Sequence, residues 1–175
     1  MNSISKFFIL IFIGFIVGCA HVYDVNYDYD KNADFANLKT YDWMPISQES
    51  NASRRNSEYV EEAVDAELQA KGLGLNSDNP DFLITARLGT KNTKSERIKG
   101  PQFSSFNRKA GRKGVEVTEI EVGSIVLDFV DAKSKIIVWR GKAKAVVDDT
   151  DSPERTEKLI KNAVSKILKN FPPPK

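Results

Sequence analysis

One stretch decides the fold: Gly123-Ser-Ile-Val-Leu-Asp-Phe-Val-Asp-Ala-Lys-Ser-Lys-Ile-Ile-Val-Trp-Arg-Gly-Lys-Ala-Lys-Ala145. Residues that are β-branched or aromatic are frequent in both halves of it, which predicts two strands. The polar run from Asp131 to Lys135 predicts the turn between them, because aspartate and serine side chains bond their own backbone. The sequence therefore predicts a long β-hairpin.

The second half of this hairpin has two different faces, because side chains alternate along a strand. One face is charged and belongs in water: Arg140, Lys142 and Lys144. The other face is apolar and mostly small: Ile137, Trp139, Gly141, Ala143 and Ala145. The small residues predict that a helix packs closely against the sheet here.

Two amphipathic helices are candidates for that layer. The first is predicted after a polar loop from Ser47 to Arg55, with Asn56 or Ser57 as its cap and Gly72 at its end. Its apolar face consists of Val60, Val64 and Leu68. The second begins at Ser152-Pro153, and its apolar stripe consists of Leu159, Ile160, Ala163, Val164, Ile167, Leu168 and Phe171.

Further strands are predicted from alternating residues at Val22–Asp30, Lys39–Trp43, Phe82–Leu88 and Val115–Val122. The order is strand, strand, helix, three strands, helix. This order predicts an α+β fold: an antiparallel sheet of about five strands with the two helices packed on one face. Within it, Tyr41, Trp43 and Trp139 are expected in the core.

Two irregular places are predicted along the chain. Residues 91–114 show no periodicity and are predicted to form a long, flexible loop. In the strand that follows, the apolar positions are even at Ile120 and Val122 but odd at Ile125 and Leu127. This change of parity predicts a β-bulge near Gly123-Ser124.

The N-terminus indicates export. An unbroken apolar run from Phe7 to Val17 has the length of a signal-peptide core and is too short to span a bilayer as a helix. It ends at Ile16-Val17-Gly18-Cys19, which resembles the lipobox of bacterial lipoproteins. The alternative is an ordinary secretory peptide that contains a cysteine.

The lipobox resemblance implies cleavage before Cys19 and acylation of that residue, and several acyl chains make a stable anchor. Ala20, in place of aspartate, implies the outer membrane by the sorting rule of Gram-negative bacteria. The expected organisation is a signal peptide at 1–18, a lipidated tether at 19–21 and one α+β domain at 22–175. The domain would face the periplasm.

Composition limits the possible functions. With 41% hydrophobic and 29% charged residues, the 175-residue chain can bury one core. A formal net charge of +2 does not indicate nucleic acid as a partner. One cysteine and one histidine argue against a disulfide, a zinc site or a catalytic triad. No cofactor, metal ligand or catalytic residue is predicted, and the protein is expected not to be an enzyme.

Several segments, in order, are similar to the domain of unknown function 4136 family of small bacterial lipoproteins. They are Val25–Asp30, Lys39–Trp43, Lys71-Gly72, Pro80–Leu83, Gly123–Asp131, Val138–Gly141 and Phe171-Pro172. The similarity covers nearly all of the chain after the tether. Because these segments are structural, the resemblance implies a fold and an envelope location but no catalytic residue.

Two carboxylates and one basic segment are the remaining candidates for chemistry. Asp128, inside an apolar strand, is expected to face water and pair with Arg140 or Lys142. Asp81 is expected to bond the turn backbone. The segment 91–114 carries the candidate partner- or phosphate-binding residues Lys94, Arg97, Lys99, Arg108, Lys109, Arg112 and Lys113. It is interpreted either as a solvated loop or as a docking site for anionic lipid.

Two functional hypotheses follow from the sequence. The first is a non-enzymatic outer-membrane lipoprotein that binds an envelope protein partner through its sheet face, an edge strand or the basic segment. The second is a carrier of a hydrophobic or anionic small molecule or lipid, held between the sheet and its helices.

Overall fold

A computed structural model describes residues 22–44, 51–99, 114–148 and 150–174, without the side chains of 51–53, 95–99 and 114–118. The elements in this part of the chain are β1 (Val22–Tyr29), β2 (Thr40–Trp43), α1 (Asn51–Ala70), β3 (Gly74–Leu75), β4 (Phe82–Lys99), β5 (Gly114–Asp131), β6 (Ile137–Val147) and α2 (Pro153–Leu168). A short 3-10 turn, Phe35–Asn37, follows β1, and Asp34 caps it as a hydrogen-bond acceptor.

The strands form one six-stranded sheet in the order β1-β6-β5-β4-β2-β3. The prediction of a purely antiparallel sheet of about five strands is wrong, because β2 runs parallel to both β3 and β4. A parallel pair needs a long crossover, and α1 supplies it between β2 and β4. The α+β reading missed this crossover because β2 has only four residues. Both helices pack on one face of the sheet, as predicted.

The predicted hairpin is confirmed as β5 and β6, with Asp131 binding the backbone N–H groups of Lys133 and Ser134 in the turn. Trp139, Gly141, Ala143 and Ala145 face the helices, as expected. Ile137 does not: it is 42% exposed, whereas Val138 is buried. The register shifts between Phe129 and Val130, and this irregularity ends the alternation before Ile137.

The core lies between the sheet and the two helices. Val60, Val64 and Leu68 of α1 are fully buried, as the sequence predicted. All seven residues of the predicted second stripe, from Leu159 to Phe171, are also buried. Tyr41 and Trp139 are in the core, and Trp43 is half-buried.

Helix α1 begins earlier than the sequence indicated. It starts at Asn51, so residues 51–55 are helical rather than part of a polar loop, and Asn56 and Ser57 lie inside the helix rather than at its cap. The error arose because residues 51–55 show no apolar periodicity, and Arg54 and Arg55 are exposed. The predicted end is confirmed, because Gly72 follows the helix with φ of +82°.

The predicted bulge at Gly123-Ser124 is wrong. Backbone pairing continues without interruption through Gly89↔Ser124, Thr90↔Gly123 and Lys91↔Val122. The apolar parity changes because the helices cover only one part of β5. Ile125, Leu127 and Phe129 face the helices, whereas Val122 lies on the opposite face, across from Val146.

The predicted loop at 91–114 is also wrong over the part that the structure describes. Strand β4 continues to Lys99 and β5 begins at Gly114, and the two pair in register along their whole length. The loop prediction failed because a strand that no layer covers needs no apolar face. The last pair between β5 and β6 is Glu121↔Val147, so residues 93–99 and 114–120 extend beyond the sheet as seven pairs. We call this two-stranded extension the β-arm.

Asp81 joins β2 to the start of β4. Its carboxylate accepts hydrogen bonds from the backbone N–H groups of Lys39 and Thr40, both at 2.9 Å, and from the Thr40 hydroxyl at 3.0 Å. The expectation that Asp81 binds backbone is confirmed. These donors, with the Lys39 N–H first and the Thr40 N–H next, hold the pKa of Asp81 below its usual value.

Replacing Asp81 is expected to weaken this junction in a pH-dependent way. The pKa is lower in the folded than in the unfolded protein, so the stabilisation is fully present above about pH 4 and is lost as the pH falls through the folded value. Asp81→Ala should lower the free energy of unfolding by about 1 kcal/mol at pH 7, since Asp81 is only partly buried. Urea unfolding of both proteins from pH 7 to pH 2 should show the difference shrinking below pH 4. The exposed Asp78→Ala is the control, and an equal effect there would contradict the assignment.

Candidate functional site

The β-arm is the first candidate site, and its charges are balanced rather than basic. Lys94 lies opposite Glu119 in the register, and Arg97 lies opposite Glu116. Lys99 lies opposite Gly114. The predicted basic segment, residues 91–114, ends before these acidic residues of β5 begin. The acidic partners could have been found by extending the charge count past Gly114 into the alternating residues of β5.

The remaining predicted site residues lie outside the described residues: Cys19, Arg108, Lys109, Arg112 and Lys113. The structure therefore brings together only Lys94, Arg97 and Lys99 of the predicted set, on one strand of the β-arm. Lys94 is exposed to solvent, as is its register partner Glu119.

The β-arm leaves the sheet at the same end at which β1 begins. Val22 pairs with Ala145, and β6 reaches its own end two residues later at Val147. The β-arm starts just beyond the Glu121↔Val147 pair. The N-terminal chain that carries Cys19 therefore enters the fold at this end, which we call the arm end.

Strand β1 is an edge strand that is poorly suited to pairing with another chain. Its register shifts between Tyr23 and Asn26, where Asp24 has φ of +53°. Asn26 donates hydrogen bonds to Asp24, and Lys144 forms an ion pair with the Asp24 carboxylate. A bulge and charged side chains are common protections of sheet edges against strand addition. The edge of β1 is therefore the weaker candidate for a partner.

The open face, which is the sheet face opposite the helices, has an ion-pair cluster at its centre. Asp128 lies directly across from Arg140 and binds its Nε and Nη2 atoms; the Nη2 bond is 3.0 Å. Arg87 Nη2 lies 2.9 Å from the same carboxylate. The predicted cross-strand ion pair is confirmed, but the expected exposure is wrong, because the two arginines leave Asp128 only 1% exposed. Asp128 in turn raises the pKa of Arg140.

This cluster fixes Asp128 in a structural role. Asp128→Ala is expected to lower the free energy of unfolding by about 2 kcal/mol. This is less than the roughly 3–5 kcal/mol for a fully buried pair, because the side chains of Arg87 and Arg140 stay 58% and 46% exposed and can turn to water. Chemical denaturation measures the loss. Asp28→Ala, an exposed acid opposite Arg140 on β1, is the control and should cost under about 0.5 kcal/mol.

A second carboxylate is held on the helix side of the sheet. Asp65 of α1 accepts hydrogen bonds from the hydroxyl of Tyr41 at 2.9 Å and from Nε1 of Trp43 at 3.0 Å. Burial, together with the carboxylate of Asp65, raises the pKa of Tyr41. These contacts join α1 to β2, so the aromatic residues of β2 hold the helix in place.

Another candidate site is a cavity at the arm end, between the sheet and the N-terminal halves of α1 and α2. Its volume is about 460 Å³, and its wall is largely apolar. The sheet contributes Leu88, Ile125, Ala143, Ala145 and Val147, and α2 contributes Leu159, Ile160 and Ala163. Asn56, Thr90 and Thr156 supply polar groups from three different elements. The expected carrier function requires such a cavity.

Other chemistry has little support in the part of the chain described. No group of three or more His, Cys, Asp or Glu side chains there could hold a metal ion. None of the helices described is both long enough and apolar enough to cross a membrane. Asp65, Asp81 and Asp128 are each held by hydrogen bonds or ion pairs within the fold.

The fold and these surfaces define a small domain of one mixed sheet covered on one face by two helices. Residues 25–173 match the family described as Domain of unknown function (DUF4136), and the chain belongs to that family. This confirms the family resemblance in the sequence. No curated protein matches the chain.

Comparison with solved structures gives matches of low sequence identity. A PDZ domain protein from Parabacteroides distasonis superposes with a TM-score of 0.60 at 18% identity, over 89% of this chain. This chain spans 36% of that protein's length. PelC from Paraburkholderia phytofirmans, solved as a dodecamer, gives a TM-score of 0.46 at 10% identity, over 83% of this chain and 93% of PelC.

Proposed function

We propose that this protein is a non-enzymatic lipoprotein of the outer membrane, anchored through Cys19, whose domain binds an envelope protein partner through the β-arm. The observation that carries the proposal is the position of the β-arm: it leaves the sheet at the end where the N-terminal chain enters. The surface that extends furthest from the domain would then lie on the membrane side.

The length of the β-arm supports a binding role. Its seven pairs extend roughly 24 Å, at about 3.4 Å per residue. An isolated two-stranded hairpin is marginally stable in water, so the fold gains little from it. Within the described residues, β6 pairs with β5 only up to Glu121, and β2 pairs with β4 only along Phe82–Ile84. The outer backbone edges of the β-arm are therefore open to a partner.

The tether length supports a partner held close to the same membrane. Cys19 is three residues before Val22, and three extended residues span roughly 11 Å at most. A β-arm of roughly 24 Å is longer than this tether. An anchored domain would therefore hold the β-arm along the membrane surface, within reach of neighbouring membrane-bound proteins.

The root of the β-arm adds an apolar contact. On the open face, Val146 is 45% exposed, and Val122 opposite it is half-buried. Ile120 lies on the same side two residues further out. Mixed charge on the other face of the β-arm, such as Lys94 opposite Glu119, favours a protein surface of complementary charge over a uniformly anionic lipid surface.

Site-specific photocrosslinking in living cells tests this proposal. A benzoylphenylalanine at Lys94 or Glu119 should give a discrete adduct with a membrane-associated protein. The same residue at Asp78, which is exposed near the opposite end of β4, should not. Absence of an adduct from both β-arm positions, or equal adducts from Asp78, would refute the proposal.

Two matched deletions distinguish binding by the paired strands of the β-arm from binding by residues 100–113, which connect those strands in the sequence. Replacing 93–120 with Asn-Gly closes the hairpin at the Asn92↔Glu121 pair and should abolish copurification of the partner. Replacing only 100–113 with Asn-Gly keeps all seven pairs and removes the basic residues of the tip. This second variant should keep most of the partner bound. If the second deletion also removes all binding, residues 100–113 rather than the paired strands of the β-arm carry the interaction.

The anchor is tested separately. Metabolic labelling with an alkynyl fatty acid should mark the wild-type protein, and Cys19→Ser should abolish the label. Sucrose-gradient fractionation should place the labelled protein with the outer membrane. An unlabelled, freely secreted protein would overturn the membrane part of the proposal.

A further inference from the structure

We infer that the arm-end cavity is a binding site for a single alkyl chain of an amphiphile, with the polar head group at the cavity mouth. This inference does not depend on the β-arm binding a protein. It is carried by the shape and chemistry of the cavity wall, and by its position beside the N-terminal entry of the chain.

The cavity exists because small residues stand where larger ones would close it. Ala143 of β6 and Ala163 of α2 border the cavity from the sheet side and from the helix side, and both are small. Nearby, Gly141 allows α2 to pack closely against β6, and the Ile167 side chain lies against Gly141. Helix α2 is therefore tightly packed against the middle of β6, whereas a volume of about 460 Å³ stays open at the arm end.

The wall chemistry selects an apolar ligand with one polar end. Leu88, Ile125, Val147, Leu159 and Ile160 provide branched apolar side chains. The ionisable residue among those that line the cavity is Lys144 of β6, and its amine forms an ion pair with Asp24. Asn56, Thr90 and Thr156 provide an amide and two hydroxyl groups. Pockets of 300–1,000 Å³ with apolar walls and a few polar groups are typical of small-molecule sites. A fatty-acid chain fits this combination.

The position of the cavity indicates where such a chain could come from. Val22 pairs with Ala145, which lines the cavity, and the chain before Val22 leads to Cys19 within roughly 11 Å. The alkyl chain is therefore either part of a free amphiphile or an acyl chain attached to Cys19. Both sources share the same chemistry and can be separated by experiment.

The first experiment uses a free ligand. Every strand and helix described begins at or after Val22, so a chain of residues 20–175 keeps the whole fold and lacks Cys19. Titration of this protein with cis-parinaric acid should show saturable binding of one ligand. Palmitic acid should displace the probe, whereas butyric acid should not. A head-group site on the surface would bind both acids alike.

Filling the cavity should abolish this binding. Ala163→Leu places three additional carbon atoms in the cavity and should weaken binding at least tenfold. The control is Ala66→Leu, the same change on an exposed position of α1, which should leave binding unchanged. If Ala163→Leu melts at a much lower temperature, Thr156→Phe fills the cavity from a half-buried lining position of α2 instead. Absence of binding in this experiment, or binding unaffected by a folded cavity-filling variant, excludes a free amphiphile.

The second experiment tests the attached chain. Cells are fed a diazirine-bearing palmitic acid, the lipidated protein is irradiated, and its peptides are mapped by mass spectrometry. Adducts between the Cys19 lipid and peptides of β6 or α2 would identify the protein's own acyl chain as the ligand. If the free probe fails to bind and the attached chain gives no adduct to these peptides, the inference is overturned.

Discussion

Adding a single methyl group at Gly141 is expected to destabilise the protein strongly. A Cβ built there would overlap the Ile167 side chain of α2 and the Trp139 ring, whose Cζ3 would be 2.9 Å away. Both neighbours are fully buried, so neither can move aside into solvent. Overpacking a close-packed core typically costs 1–3 kcal/mol, and this site should lie at or above the upper end, at about 3 kcal/mol for Gly141→Ala.

Gly74→Ala is the matched control for this prediction. Gly74 is also a strand glycine with an ordinary negative φ, but an added Cβ would meet no atom within 4 Å. The change should leave the free energy of unfolding within about 0.5 kcal/mol of wild type. Urea denaturation of both variants measures the comparison. Equal stability of Gly141→Ala and Gly74→Ala would mean that α2 does not pack against β6 as described.

Where one face of an element is buried, its sequence was enough to predict the structure. The stripe of α2 and the face of β6 from Trp139 to Ala145 follow the period that burial imposes, and both are confirmed. Asp131 and Gly72 were predicted from local backbone chemistry, which needs no knowledge of distant contacts. These predictions depended only on neighbours close in the chain.

Where neither face is covered, the same reasoning failed. Residues 91–99 form a strand without an apolar face, because none of the described helices or strands packs on the face of the β-arm. The change of face after Val122 therefore marks the edge of the helix layer rather than a bulge. Periodicity reports burial, so it cannot distinguish an uncovered strand from a loop.

The candidate sites depend on contacts between residues far apart in the chain. Glu116 and Glu119 lie opposite two of the basic residues, Arg97 and Lys94, and only the register shows this. Arg87 reaches Asp128 from a neighbouring strand, so a pairwise prediction found only half of the cluster. The arm-end cavity is lined by residues of two helices and three strands, among them Ala143 and Ala163, and no local pattern indicates that these residues will border one volume.

Removing the Phe171 ring is expected to have the largest effect of any single truncation in the C-terminal segment. Phe171 follows α2 and is 2% exposed. Its ring centroid lies 4.6 Å from that of Phe129 and 5.3 Å from that of Trp139, both in edge-to-face geometry. Phe82 and Phe35 complete the cluster at 6.0 and 6.1 Å.

Phe171→Ala should therefore lower the free energy of unfolding by about 4 kcal/mol, because the ring leaves a cavity and each aromatic contact is lost. Tyr27→Ala is the matched control: it also removes an aromatic ring, but Tyr27 is 41% exposed and stacks on Tyr29 with centroids 6.3 Å apart. It should cost less than about 1 kcal/mol. Chemical denaturation distinguishes the two. If both variants lose the same small amount, the segment after α2 is not part of the core, and α2 would be held by its own stripe alone.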